Sequence, residues 1–211
     1  NYDGTVLETK TLEYGSTPTY TADEPTKTKD ETYTYSFAGW DNDITTVTKD
    51  TTYTAVFNEN YIDYLITFVD EDKTTLSQKN YHYGDTVILP QVPTKDANEQ
   101  FTYTFAGWSP NVTTVQGNAT YTATYTETLN TYDVTFVDGD GSVLSTTQTI
   151  EYGKTATKPE APTKEGHKFL GWYNGENEFS FDSQVKSNLT LTAKWEKNKY
   201  TITFVNYDGT V

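Results

Sequence analysis

The chain has 211 residues, of which 34% are hydrophobic and 15% aromatic, with neither cysteine nor methionine and a formal net charge of −15 at pH 7. That charge repels phosphate backbones and anionic headgroups, which excludes nucleic-acid and membrane-surface partners, and the missing sulfur excludes disulfide, thiolate and thioether chemistry. No apolar run approaches the length that crosses a bilayer, so membrane insertion is not expected of this segment.

Taken in chain order, the same landmarks pass three times. Tyr2-Asp3-Gly4 reads as a tight hairpin turn, repeated at Glu71-Asp72-Lys73 and Gly139-Asp140-Gly141, where Asp and Gly tolerate positive φ. Tyr14-Gly15 follows and returns as Tyr83-Gly84 and Tyr152-Gly153, spaced 69 and 69. Next comes a connection of about twenty residues carrying Pro25-Thr26-Lys27, Pro93-Thr94-Lys95 or Pro162-Thr163-Lys164. It is too proline-broken for more than one helical turn. A strand then bears the strongest signature: Phe37, Gly39 and Trp40; Phe105, Gly107 and Trp108; Phe169, Gly171 and Trp172. A closing strand ends each unit, with Tyr53, Ala55 and Phe57 matching Tyr121, Ala123 and Tyr125, and Leu191, Ala193 and Trp195. After a short connection the next unit opens on Tyr64 to Val69, Tyr132 to Val137, or Tyr200 to Val205, with Phe68, Phe136 and Phe204 spaced 68 and 68.

A period near 68 residues marks an array of small modules, and the Thr, Tyr and Val content with period-two alternation makes it mainly β. The recurring Tyr, Ile or Val, and Phe of the opening strand form its core face, while Leu65, Asp133 and Thr201 face outward. On the closing strand the intervening threonines are expected to face water. The units divide at about 1–57, 64–125 and 132–195, with 200–211 as the opening strand and turn of a fourth. Two hairpin strands, a crossover and a later strand pair predict tandem β-grasp-like modules with the helix shortened or absent. Their first and last strands lie side by side and parallel. The connections 58–63, 126–131 and 196–199 contain no Gly or Pro and are too short for flexible tethers. An elongated end-to-end rod follows, rising on the order of 35 to 45 Å per repeat.

The first unit lacks an opening strand, and the chain ends on an unpartnered copy of one. Asn1 to Val6 are also identical to Asn206 to Val211. Both features point to a segment of a longer array. They also predict head-to-tail self-association, in which 200–205 of one molecule fills the open edge of another.

The residues Thr135-Phe136-Val137-Asp138, Tyr152-Gly153-Lys154, Pro162-Thr163-Lys164-Glu165-Gly166, Phe169-Leu170-Gly171-Trp172-Tyr173 and Leu191-Thr192-Ala193-Lys194-Trp195 resemble the Listeria–Bacteroides repeat, the B-repeat of internalin-type surface proteins. The third unit resembles it over nearly its whole length. The first two lack the stretch 173–187 and resemble divergent members. The resemblance implies a β-grasp-like module in tandem on bacterial, often Gram-positive, cell surfaces, spacing a functional domain from the wall or contributing to adhesion. It carries no catalytic residue and no cofactor.

Candidate chemistry is sparse. His82 and His167 fall at different repeat positions and do not converge with an acid or nucleophile. Asp138-Gly139-Asp140-Gly141 starts like a calcium loop, but Ser142 and Thr149 stand where an EF-hand needs acidic ligands, so no metal site is assigned. The sequons at Asn111, Asn118 and Asn188 are what a threonine-rich chain produces by chance. The expected function is therefore a non-enzymatic, semi-rigid spacer whose partners are its neighbouring repeats. The alternative is an adhesin that grips a glycan or host protein itself, with Tyr173, Phe179 and Phe181 as candidate ligand contacts.

Overall fold

The computed structural model describes residues 1–209, and among these there are eleven strands and no helix. The connections 16–32, 85–100 and 154–166, where the sequence allows one helical turn, are irregular chain. The strands are β1 (Tyr33–Trp40), β2 (Ala55–Tyr61), β3 (Tyr64–Val69), β4 (Thr75–Tyr81), β5 (Phe101–Ser109), β6 (Ala119–Leu129), β7 (Thr131–Val137), β8 (Val143–Glu151), β9 (His167–Asn174), β10 (Asn177–Glu178) and β11 (Leu189–Lys197).

They form three small sheets: β1-β2, β4-β3-β6-β5 and β10-β9-β11-β7-β8. In both larger sheets the opening strand is central. β3 pairs antiparallel with β4 and parallel with β6, and β7 pairs antiparallel with β8 and parallel with β11. A parallel neighbour requires a crossover. In each repeat that crossover is the proline-containing connection together with the third strand.

By compactness the chain divides into Asn1–Pro93 with Ala106–Thr124, and Thr94–Phe105 with everything from Tyr125 onward. The core of the former gathers Ile66, Phe68, Tyr81, Val87, Val115 and Tyr121, with Trp108 packed against it. The core of the latter gathers Val134, Phe136, Trp172, Val185, Leu191 and Ala193, flanked by Phe169, Phe179, Phe181 and Trp195. The opening strands present the faces expected of them: Ile66, Phe68, Val134 and Phe136 are buried, while Leu65 and Asp133 are exposed.

Four sequence expectations need correction. The threonines of the closing strands do not simply face water. Thr122, Thr124 and Thr192 are half-buried because β6 and β11 are interior strands, and the Thr124 hydroxyl donates to the Gly107 carbonyl at 2.9 Å. The segments 58–63, 126–131 and 196–199 are not linkers, since β2 runs to Tyr61, β6 to Leu129 and β11 to Lys197. The third strand of each repeat starts early enough to pair with them, as in Tyr33↔Tyr61 and His167↔Lys197. Between β6 and β7 only Asn130 remains.

Residues 200–205 form no strand, because a strand exists through its hydrogen-bonded neighbour and they have none. Residues 206–209 make a turn closed by the Gly209 amide on the Asn206 carbonyl at 2.9 Å, and Thr210 and Val211 of the expected fourth-repeat turn lie outside the described residues. Residues 6–12 and 51–54 of the first unit likewise belong to no strand, although the Thr54 carbonyl accepts the Asp41 amide and the Thr54 amide donates to Asp41 Oδ1, both at 2.9 Å, so only β1 and β2 form there.

Candidate functional site

The Phe-x-Gly-Trp signature is a β-bulge. Phe37 pairs with Phe57 and Gly39 with Val56, so Ala38 is the extra residue, and Leu170 is skipped likewise between Phe169 and Gly171. In a regular strand residues three apart face opposite ways. The bulge resets the alternation, so Phe and Trp share a face at 5.4 Å between centroids for both Phe37–Trp40 and Phe169–Trp172. The glycine has φ of 125°, 138° and 154° at positions 39, 107 and 171, a conformation that side-chain-bearing residues rarely adopt. Trp172 is 1% exposed and meets Phe136 edge-on at 5.0 Å. Its indole N–H has no hydrogen-bond partner. Trp172 is thus a core anchor.

The Tyr-Gly landmark is a pin between distant segments. The amides of Gly15, Gly84 and Gly153 donate to the carbonyls of Val47, Val115 and Val185 at 2.8, 2.7 and 2.8 Å. Those valine amides donate back to Ser16, Asp85 and Lys154. Val115 and Val185 are buried in the two cores. Sequence reading passed over this valine, although its aligned recurrence before each closing strand was a usable signal.

The parallel clamp has a recurring side-chain lock. The Asn118 carbonyl Oδ1 accepts the Leu65 amide at 2.8 Å, and Asn188 Oδ1 accepts the Asp133 amide at 2.9 Å. Both asparagines look like chance sequons in sequence. Their structural role is to hold the start of the opening strand against the closing strand.

Each repeat is also clasped to the one before it. The Tyr64 hydroxyl donates to the Glu31 carbonyl at 2.7 Å, and the Tyr132 hydroxyl donates to the Glu99 carbonyl at 2.6 Å. The main chain reinforces both junctions, with the Ile62 amide on Thr32 O and the Asn130 amide on Gln100 O, each at 2.8 Å. Asn130 Nδ2 adds bonds to Asn98 O and Glu99 O at 2.7 and 3.1 Å, and the Tyr152 amide returns to Asn130 O at 2.8 Å. The accepting loop is shaped by an Asx turn. Asp30 Oδ1 takes the amides of Thr32 and Tyr33, and Asn98 Oδ1 those of Gln100 and Phe101.

The lysine of Pro-Thr-Lys caps an aromatic face beside this loop: Lys27 lies 3.6 Å from the Tyr35 centroid, Lys95 4.0 Å from Tyr103 and Lys164 5.5 Å from Trp195. Tyr35 also donates to Asp30 Oδ2 at 2.6 Å, a bond that pushes its phenol pKa up to about 12.

Residues 64–131 and 132–194 match the Listeria-Bacteroides repeat domain. The chain belongs to the Listeria-Bacteroides repeat family. A putative membrane protein of Evansella cellulosilytica is 30% identical over 207 residues, covering 89% of this chain and 30% of that protein. Internalin H of Listeria monocytogenes is 34% identical over 123 residues, covering 52% of this chain and 21% of that protein. The chain thus spans less than a third of the length of these relatives. Among solved structures, Streptococcal High Identity Repeats in Tandem (SHIRT) domains 3-4 from a cell surface protein are similar at a TM-score of 0.32 and 19% identity, covering 64% of this chain and 98% of that one.

Within this Listeria-Bacteroides repeat array the remaining candidates are placed as follows. Asp138 Oδ2 accepts Lys164 Nζ, and Oδ1 accepts the Trp195 indole N–H and the Gly139 amide, all at 2.8 Å. Lys164, then the amide and the indole, pull its carboxyl pKa down to about 2. Asp140 Oδ1 is taken by Ser142. His82 stacks on Tyr61 at 4.3 Å with Asp63 Oδ1 3.4 Å from Nε2, while the Nδ1 of His167 meets its own turn at Glu165 O. Phe179 and Phe181 pack against the core, Phe181 stacking near Phe136 at 6.4 Å. The Tyr173 ring is covered by Lys194 at 4.6 Å, which is itself paired with Glu176 at 2.7 Å.

Proposed function

We propose that this segment is a non-enzymatic, semi-rigid spacer that projects a functional domain from a bacterial cell surface. Its modules are read as β-grasp-like units without the helix, strung end to end as an elongated rod. The observation that carries this reading is the junction clasp. A tyrosine hydroxyl from each following repeat binds the loop of the preceding one, the strands run almost without interruption from repeat to repeat, and both features recur. A flexible tether has neither the short connection nor the side-chain anchor.

Membership of a family whose relatives include internalin H supports the surface location. The net charge of −15 supports a strand that stays soluble and apart from its neighbours.

Small-angle scattering on the dilute chain tests the reading. A maximum dimension above about 110 Å is expected from restrained end-to-end units. A radius of gyration near ~17 Å, the value for one compact globule of this length, overturns it.

A further inference from the structure

The chain has 18 tyrosines and neither cysteine nor methionine. Oxidising equivalents that thiols and thioethers would absorb therefore pass to its aromatic rings. What a phenol does after losing an electron depends on whether a second phenol is within bonding reach.

Tyr33 opens β1, Tyr61 closes β2, and the two are direct cross-strand partners. Such a pair holds its side chains together on one face of the sheet. The ring centroids are 4.7 Å apart and the planes 43° apart, a separation and twist close to those of two phenol rings joined by a single bond. The Tyr61 phenol, by its hydrogen bond, pushes the Tyr33 pKa up to about 12, so the two hydroxyls and the ring carbons beside them lie next to each other. The Ile62 amide on Thr32 O, at 2.8 Å, fixes the main chain behind both residues. Other tyrosine pairs are wider, with Tyr64–Tyr83 and Tyr132–Tyr152 each at 6.4 Å. The aligned positions of the later repeats hold Phe101 and Leu129, then His167 and Lys197.

We propose that Tyr33 and Tyr61 form an oxidative cross-linking site, which hydrogen peroxide and a peroxidase convert to an intramolecular dityrosine. Tyr61 is 58% exposed and meets the oxidant first, while His82, stacked on it at 4.3 Å, covers a face that a ring from another molecule would need. Each phenol loses one electron and its hydroxyl proton. The two radicals join through carbons ortho to oxygen, forming one C–C bond, and the two hydrogens on those carbons move to oxygen and restore the hydroxyls. The net two protons and two electrons reduce hydrogen peroxide to two waters. The new bond closes the loop 33–61 at the junction with the second repeat, so a chain under tension can no longer pay that loop out.

Treating the dilute full chain with hydrogen peroxide and a haem peroxidase tests the site. The expected product is a monomer lacking two hydrogens, with dityrosine fluorescence and the tryptic peptides 30–49 and 50–73 joined. Tyr33→Phe and Tyr61→Phe keep the rings and should each lose that product, whereas Tyr83→Phe should retain it. The unaltered chain in urea should spread its coupling over other tyrosines. Pulled from its ends, the cross-linked chain should extend on the order of 90 Å less than the untreated one, the length of the closed loop. A folded chain that yields no dityrosine where free tyrosine couples, or only joined pairs of molecules, overturns the proposal. So does a product that survives Tyr61→Phe, or one that extends as far as the untreated chain.

Discussion

At Gly107 the backbone stands at φ 138°, and a Cβ added there meets nothing within 4 Å. Replacement by alanine therefore tests conformation alone. Gly107→Ala should cost about 1–3 kcal/mol in thermal unfolding, whereas Gly117→Ala, which has equal space and no positive φ, should be neutral or slightly stabilising. Equal effects at the two sites would show that the bulge does not require glycine. The hairpin turns carry the reverse case: Lys73 sits at φ 72° where Gly141 holds φ 86° in the next repeat, so Lys73→Gly should raise the melting temperature. Asp138 sets a pH window. Its folded pKa, held near 2 by Lys164, lies below its unfolded value, so its contribution is full above about pH 4 and is lost as pH falls toward 2. Melting of the third repeat should fall through that interval, and Asp138→Asn should flatten the fall.

Among the elements, the junction is where sequence and structure part company. The opening strands were legible because alternation and repeat alignment agree on one buried face, and Ile66, Phe68, Val134 and Phe136 occupy it. The closing strands were cut short because Asn58, Glu59 and Asn60 lack the apolar period. They are strand residues by virtue of pairing with Ser36, Tyr35 and Thr34, a tertiary fact that local composition does not carry. Tyr64 and Tyr132 were legible as core-face aromatics, but not their hydroxyls, which cross the junction to a main-chain carbonyl. Asn118 and Asn188 were hidden by their threonines, since the sequon pattern drew attention away from their alignment. The clasp gives an element-scale prediction. Tyr132→Phe should remove a hydrogen bond worth about 1 kcal/mol while leaving the ring packed. Nuclear relaxation should then show the second and third repeats tumbling more independently, and unchanged coupling would assign the restraint to the main chain alone.

For the whole molecule the tandem order was legible because three copies of one pattern constrain one another, and the family match to 64–131 and 132–194 rests on the same recurrence. The spacer reading then makes a mechanical claim. Tension on an array enters a complete repeat at the start of its opening strand and leaves at the end of its closing strand. These strands are adjacent and parallel in both complete repeats, paired over Ile66 to Val69 with Ala119 to Thr122, and over Val134 to Val137 with Leu189 to Thr192. The load therefore shears their hydrogen bonds together instead of peeling them singly. Pulled from its ends at low concentration, the chain should show two matched force peaks, each releasing on the order of 180 Å as about 64 residues extend. The first repeat, with no parallel pair among its described strands, should yield earlier and at lower force. Asn118→Ala should lower one peak and leave the other, because its side chain locks only the second repeat's opening strand. Smooth extension without peaks would mean that the parallel pairs bear no load, and the spacer would have to be a passive one.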